Sequence, residues 1–307
     1  MYNEDRKLKF IQDTKESNSY GISIFSTTAI VEEQLDMDLC ILPADAIQSI
    51  FDKHFGVRKK SLLNVVSFIM SYYAWCKDKG FEIGDGIYNV NIDSKEKIKM
   101  MMVSSPKHLD IVLNKLFDDV ELETIDCLYR SVFWLAFSGM EDLADILEVT
   151  IDEIDFAELI VRHNGKRYEL PRESIRSIRN SCELDEFTYI HPNYSKEIKR
   201  KRRDNRYLFR AIKAEKINVN TFKSSVGKII AKNDIKLTIR NVFLSGVFFR
   251  AYENQRSGFN PDFSSIAMEK LLKGRRKFDA NHQAVGILAG IERELYEDYE
   301  RWKDAFS

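Results

Sequence analysis

Apolar residues recur at helical spacing along most of the chain. Leu109, Val112, Leu113 and Leu116 fall at i, i+3, i+4 and i+7 behind Ser105-Pro106. Serine there suits an N-cap and proline suits the first helical turn. Leu122, Ile125, Leu128, Tyr129, Val132 and Phe133 continue the spacing and predict a helix that stops at Gly139, a residue able to take the left-handed conformation past a C-terminus. Leu62, Val65, Val66, Ile69, Met70 and Tyr73 predict a strongly apolar helix ending near Gly80, and Ile47, Ile50, Phe51 and Phe55 line one face of another over 44–55. Ile291, Leu295, Tyr296, Tyr299 and Trp302 predict an amphipathic helix further on. One stretch departs from this pattern. Residues 155–162, then His163-Asn164-Gly165-Lys166, then 167–171 predict a β-hairpin, because Asn-Gly suits a two-residue turn. Periodicity weakens over 81–104, where a linker is expected, and the first 40 residues predict no element. The expected fold is mainly α with a small β-hairpin or sheet. It divides into a helical domain over 1–104 and a second domain over 105–307. That agrees with 307 residues at roughly 100–200 per domain.

Composition narrows the class. Hydrophobic residues at 44% and charged residues at 31% match a soluble globular protein. No run of about 18 apolar residues suggests a membrane span, and the charged start MYNEDRKLKF lacks an apolar signal core, so a cytoplasmic location is expected. The cysteines Cys40, Cys76, Cys127 and Cys182 form no CxxC pair, which implies reduced thiols. The five histidines form no HExxH, and the phosphate-loop, dinucleotide and nucleophile-elbow motifs are missing, so no metal, cofactor or nucleotide is expected.

The formal net charge of −1 conceals a strong asymmetry. Residues 196–240 carry 15 Lys and Arg against 4 Asp and Glu, whereas 118–158 carry 13 acidic residues and the single Arg130. Concentrated positive charge is an electrostatic footprint for phosphate whatever the total. The densest part is Lys199, Arg200, Lys201, Arg202 and Arg203, followed by Arg206 and Arg210, with Tyr194, Tyr207 and Phe209 interleaved as rings that can anchor it. A solvated loop is the alternative reading of the same run.

Residues from about 119 onward resemble the catalytic domain of tyrosine recombinases, the phage-integrase family. Phe137-Ser138-Gly139-Met140 is similar to the segment before that family's first arginine. Ile154-Asp155 leads into a hairpin closing on Leu170-Pro171, Leu237-Thr238 opens a helix resembling the His-x-x-Arg region, Leu271-Leu272-Lys273-Gly274 resembles the Leu-Gly-His segment, and a Tyr-rich helix stands where the nucleophile would be. Residues 42–100 resemble the family's core-binding domain. The resemblance implies two domains closed around duplex DNA. It also puts Glu141 at the first arginine position and Arg240 and Phe243 at the His-x-x-Arg positions, and residues 134–161 hold no arginine. Glutamate repels a phosphate and phenylalanine donates nothing to one, so the electrophilic set is broken and no catalytic residue is expected. Lys166, Tyr299 and Tyr296 are what remains of it.

The expectation is therefore a DNA-binding repressor without enzymatic activity, similar to the recombinase-like repressors that keep SPβ-type Bacillus prophages dormant. Its partner would be double-stranded operator DNA, with other phage regulators as further partners. An active but atypical recombinase and a phage accessory protein are the alternatives. Candidate DNA contacts are Arg58, Lys59 and Lys60 at a helix start, Lys166 in the hairpin turn, the run Lys199–Arg203 with Arg206 and Arg210, and Arg240, for which a buried ion pair is the competing role. Base readers are sought in two short helices joined near Lys232-Asn233-Asp234, the first capped by Asn220 or Thr221. Lys223, Lys228 and Asn233 are the candidates, since lysine suits guanine and asparagine suits adenine.

Overall fold

The structure is a computed structural model that describes residues 1–14, 18–117, 126–191, 196–233, 235–273 and 283–307. Helices dominate, accompanied by a small three-stranded antiparallel sheet. In chain order the helices are α1 (Glu4–Thr14), α2 (Asn18–Leu35), α3 (Ala44–His54), α4 (Lys59–Asp78), α5 (Lys95–Met101), α6 (Pro106–Phe117), α7 (Asp126–Phe137), α8 (Leu143–Ile146), α9 (Ile175–Glu183), α10 (Val219–Lys232), α11 (Ile239–Arg256), α12 (Ser264–Lys273) and α13 (Gln283–Phe306). The strands are β1 (Ile154–Asp155), β2 (Ile160–His163), β3 (Lys166–Glu169), β4 (Glu186–His191) and β5 (Lys196–Lys201). Leu122, Ile125, Tyr194, Asp234 and Gly274 lie outside the described residues. No helix among the described residues is long and apolar enough to cross a membrane.

The local signals explain most boundaries. Gly80 and Gly139 take φ of +79° and +116° just beyond α4 and α7. The Asn164-Gly165 pair takes φ of +50° and +72° between β2 and β3, as a tight hairpin turn requires, and sets His163 opposite Lys166. The first helix of the 219–256 pair starts two residues earlier than expected. Its cap is Asn218, whose side chain accepts from the Thr221 amide, while Thr238 caps α11 through the Asn241 amide.

By contact the chain forms two compact units. The first comprises residues 1–98, 263–305 and 307, and the second comprises 99–262 and 306. The helices over 263–305 therefore group with the N-terminal residues, unlike the linear split at 104. The stretch 81–104 is also more structured than a linker. It holds α5, and Lys97 donates its Nζ to the Phe51 carbonyl at 2.6 Å.

The first unit is cored by Phe10, Phe25, Phe68, Tyr72 and Trp75, with rings edge-on at 5.0–6.0 Å. Polar groups inside it are paired, as burial demands. Lys7 and Glu32 are fully buried and bonded to each other, and Glu32 also accepts from Thr28 and the Leu39 amide. Asp38 accepts from Asn3, Tyr72 and the Cys40 amide. In the second unit α7 is buried over residues 127–137 apart from Arg130, and it packs against α11. A Cβ at Gly246 would fall well inside contact of the Phe137 carbonyl oxygen, so only glycine lets those two backbones approach.

Candidate nucleic-acid interface

The basic run lies on a second hairpin that periodicity does not reveal. β5 pairs with β4 in register Glu186↔Lys201 to His191↔Lys196, and the Arg202 amide extends the ladder to the Asp185 carbonyl at 2.8 Å. Beyond β5 the chain is tied down. Ile151 donates to the Arg206 carbonyl, Leu208 donates to the Val149 carbonyl, and Leu208 and Phe209 are fully buried. Tyr207 pairs with Thr150 and lies under Arg206 and Lys216. The rings at 207 and 209 thus anchor the run to the second unit, as the interleaving suggested.

That anchoring divides the run. Lys199, Arg200, Lys201, Arg203 and Arg206 are exposed. The Lys199 ammonium has Glu186 at 3.8 Å, but both groups are largely solvated, so this pair is weak. Arg202 and Arg210 are buried, contrary to their reading as phosphate contacts. Arg202 donates Nε to the Arg210 carbonyl at 2.8 Å, Nη1 to Leu184 at 2.7 Å and Nη2 to Leu208 at 3.0 Å. Arg210 pairs with Asp185 at 3.0 Å and donates Nη2 to the Cys182 carbonyl at 2.7 Å. These guanidiniums are spent on the backbone that shapes the hairpin base. Burial, with Arg210 nearby, pushes the Arg202 pKa down to about 10, so it stays charged at neutral pH.

The α10–α11 junction borders a cavity of about 360 Å³ whose lining includes Glu141, Phe222, Lys223 and Arg240. Arg240 is exposed in the first turn of α11, so its competing reading as a buried ion-pair member does not hold. Lys223 and Lys228 are exposed, while Phe222 and Val226 form the buried face of α10. Asn233 is not free to read a base, since its amide donates to the Ile229 carbonyl of its own helix at 3.0 Å. Lys166 is exposed at the start of β3. Phe243 is a core residue.

Sequence reasoning missed Arg250 on α11. It donates Nη1 to the Phe137 carbonyl at 2.8 Å, and burial pushes its pKa down to about 10 against the pull of Glu169. No motif marks it, because its partner is a main-chain carbonyl brought close by the fold.

In the first unit the three expected contacts are occupied. Arg58 pairs with Glu294 and Asp298 at 3.2 Å each, Lys60 pairs with Glu294, and Lys59 has Glu297 at 3.7 Å. The Asp298 carboxylate accepts from the Lys59 amide at 2.9 Å. The N-terminus of α4, attractive to a phosphate by its dipole and free amides, is filled by a carboxylate of α13. These residues are thus contacts between helices, which corrects their reading as DNA contacts. On α13, Tyr299 is fully buried against Phe263 and Trp302, with ring centres at 5.7 and 6.3 Å, while Tyr296 is exposed.

Residues 1–78 match the family model described as the N-terminal core-binding domain of MrpR. No curated protein matches the chain. Among solved structures, the chain is similar to the crystal structure of XerA recombinase at 12% identity, covering 91% of this chain and all of that one, with a TM-score of 0.38. It is also similar to the Tn1549 transposon integrase (residues 82–397 of that protein), solved with circular-intermediate DNA, at 10% identity over 94% of this chain and 98% of that one, with a TM-score of 0.36.

Proposed function

We propose that this chain is a sequence-specific DNA-binding transcriptional repressor that keeps a prophage dormant, on a recombinase-like scaffold that does not cut DNA. The observation that carries this reading is the row of five exposed cations, Lys199, Arg200, Lys201, Arg203 and Arg206, on a paired strand and a loop pinned by Leu208 and Phe209. Cations on an anchored frame meet a phosphate backbone without first paying the entropy of ordering a free loop. Lys166, Lys223, Lys228 and Arg240 add exposed charge on the same unit. The likeness of residues 1–78 to a core-binding domain fits a protein that engages duplex DNA.

The chemistry at two places supports the reading that catalysis is lost. Phosphoryl transfer needs positive groups around the developing charge, and one such donor is worth about 3–4 kcal/mol. Glu141 instead shares its cavity with Arg240 and Lys223, so a carboxylate lines the surface where positive charge would be needed. Tyr299 is enclosed by aromatic rings, and a nucleophile must reach its substrate. The partner is double-stranded operator DNA, with other phage regulators as further partners, and the site of action is the nucleoid of a bacterial host.

The test is a gel shift with full-length protein on fragments tiling a prophage genome, from 50 to 200 mM salt. A few fragments should bind selectively, and log K should fall with log salt at about −0.9 per phosphate contacted. A nicked suicide substrate should trap no covalent adduct. Selective binding with no salt dependence, or a tyrosine-linked adduct, would refute the proposal.

A further inference from the structure

At the start of α4 three cations follow one another, and α13 lays three carboxylates across them. Glu294, Glu297 and Asp298 stand at i, i+3 and i+4, so they share one face of that helix. Their roles differ. Asp298 is 8% exposed and accepts from the Lys59 amide at 2.9 Å, so it caps α4 and belongs to the fold. Glu297 is 45% exposed where it meets Lys59 at 3.7 Å, and the Lys60 that pairs with Glu294 is 61% exposed. Ion pairs that reach water add little stability and are screened by salt. What seats α13 is apolar instead: Leu295 and Tyr299 are fully buried and Trp302 is nearly so. Two glutamates that contribute little to the seating of α13 therefore neutralise a basic surface. A carboxylate occupies a guanidinium or an ammonium as a phosphate oxygen does, so while they are in place Arg58, Lys59 and Lys60 are contacts between helices and closed to DNA.

We infer that Glu294 and Glu297 form an internal mask over a phosphate-binding surface made by Arg58, Lys59 and Lys60. The inference rests on the DNA-binding reading above and adds a control to it. Sequence-independent affinity for DNA comes from neutralising phosphates, so three uncovered cations attract any duplex. A repressor works against a large excess of wrong sites, and its specificity ratio counts for more than its affinity. Covering these cations in the free chain lowers binding to arbitrary DNA and leaves base-reading contacts untouched.

Fluorescence anisotropy of the full chain with a labelled duplex of arbitrary sequence, over a salt series, tests this. Glu294→Gln with Glu297→Gln should keep the parental melting temperature. It should tighten binding at low salt about ten-fold and steepen the slope of log K on log salt by about 0.9 for each cation that engages a phosphate. Adding Arg58→Gln, Lys59→Gln and Lys60→Gln should return affinity and slope to the parental values. Glu33 and Glu96 are exposed in the same unit and pair with no cation among the described residues. Glu33→Gln with Glu96→Gln makes the same change in net charge and should leave affinity and slope as they were. The mask fails if the variant at 294 and 297 binds as the parent does, if its gain survives loss of the three cations, or if the variant at 33 and 96 reproduces it. A parent that binds with a variant no tighter refutes the mask alone, whereas a parent and a variant that both ignore the duplex at low salt refute the repressor reading with it.

Discussion

Three neighbouring cations, Lys201, Arg202 and Arg203, read alike in the sequence, and the structure separates them. Replacing Arg202 with alanine removes donors from the Arg210, Leu184 and Leu208 carbonyls at 2.7–3.0 Å. A buried acceptor left without a partner costs about 1–3 kcal/mol. The Leu184 carbonyl keeps the Arg210 Nη2 donor at 3.2 Å, so two acceptors are orphaned, a loss of roughly 2 kcal/mol at the low end that removing a charge repelled by Arg210 partly offsets. Lys201→Ala and Arg203→Ala remove exposed side chains and should stay within about 0.5 kcal/mol of the parent. The two kinds of variant should separate again on DNA. Each exposed cation that meets a phosphate contributes about 0.9 to the salt slope, so Lys201→Ala and Arg203→Ala should flatten it. Arg202→Ala should lose stability, while whatever remains folded at low temperature keeps the parental slope. Urea unfolding of full-length variants, with gel shifts across a salt series, measures both. An Arg202→Ala protein with parental urea stability and a flattened slope would mean that this guanidinium faces DNA, and the argument from the hairpin base would be wrong.

Other outcomes follow from the two cores. Burial opposes ionisation of Asp38, but hydrogen bonds from Asn3 and the Cys40 amide outweigh it and hold the carboxyl below the usual aspartate range. Its contribution is thus complete above the unfolded value of about 3.9 and is lost as pH falls through the lower folded value; thermal melts between pH 5 and 3 should show less acid loss in Asp38→Asn, from a lower starting stability. Gly246→Ala should destabilise the second unit by about 3 kcal/mol, the upper end for overpacking, because the new Cβ meets the Phe137 carbonyl; an unchanged melt would contradict the close α7–α11 approach. Tyr299→Phe should leave DNA affinity at the parental level and cost no more than about 1 kcal/mol in urea, the most that one hydroxyl's hydrogen bond is worth.

The elements that the sequence makes legible are those fixed by local chemistry. The Asn164-Gly165 turn, the stops at Gly80 and Gly139, and the apolar stripes of α3, α4 and α6 need no distant partner to be recognised. The hairpin β4–β5 escapes, since charge on successive residues hides the alternation that marks a strand. The same run yields its five surface cations to sequence reasoning but not the inward turn of Arg202 and Arg210, which depends on carbonyls of residues 181–185 and 208. Arg58, Lys59 and Lys60 mislead for a related reason. Their partners Glu294, Glu297 and Asp298 are more than 230 positions away, beyond the reach of any local pattern.

The grouping of residues 1–98 with 263–305 has a consequence for how the protein is made. The second unit is nearly continuous in the chain and can close its core while synthesis is still under way, since domains generally fold as units while emerging at about 5–20 residues per second. The first unit must wait. Until α13 leaves the ribosome, Arg58, Lys59 and Lys60 surround an uncapped α4 terminus, and the nascent chain displays a basic cluster that the finished protein neutralises. For roughly ten seconds or more at that rate, Arg58, Lys59 and Lys60 stand without the carboxylates of Glu294, Glu297 and Asp298, and the local basic cluster is compensated only when that helix arrives.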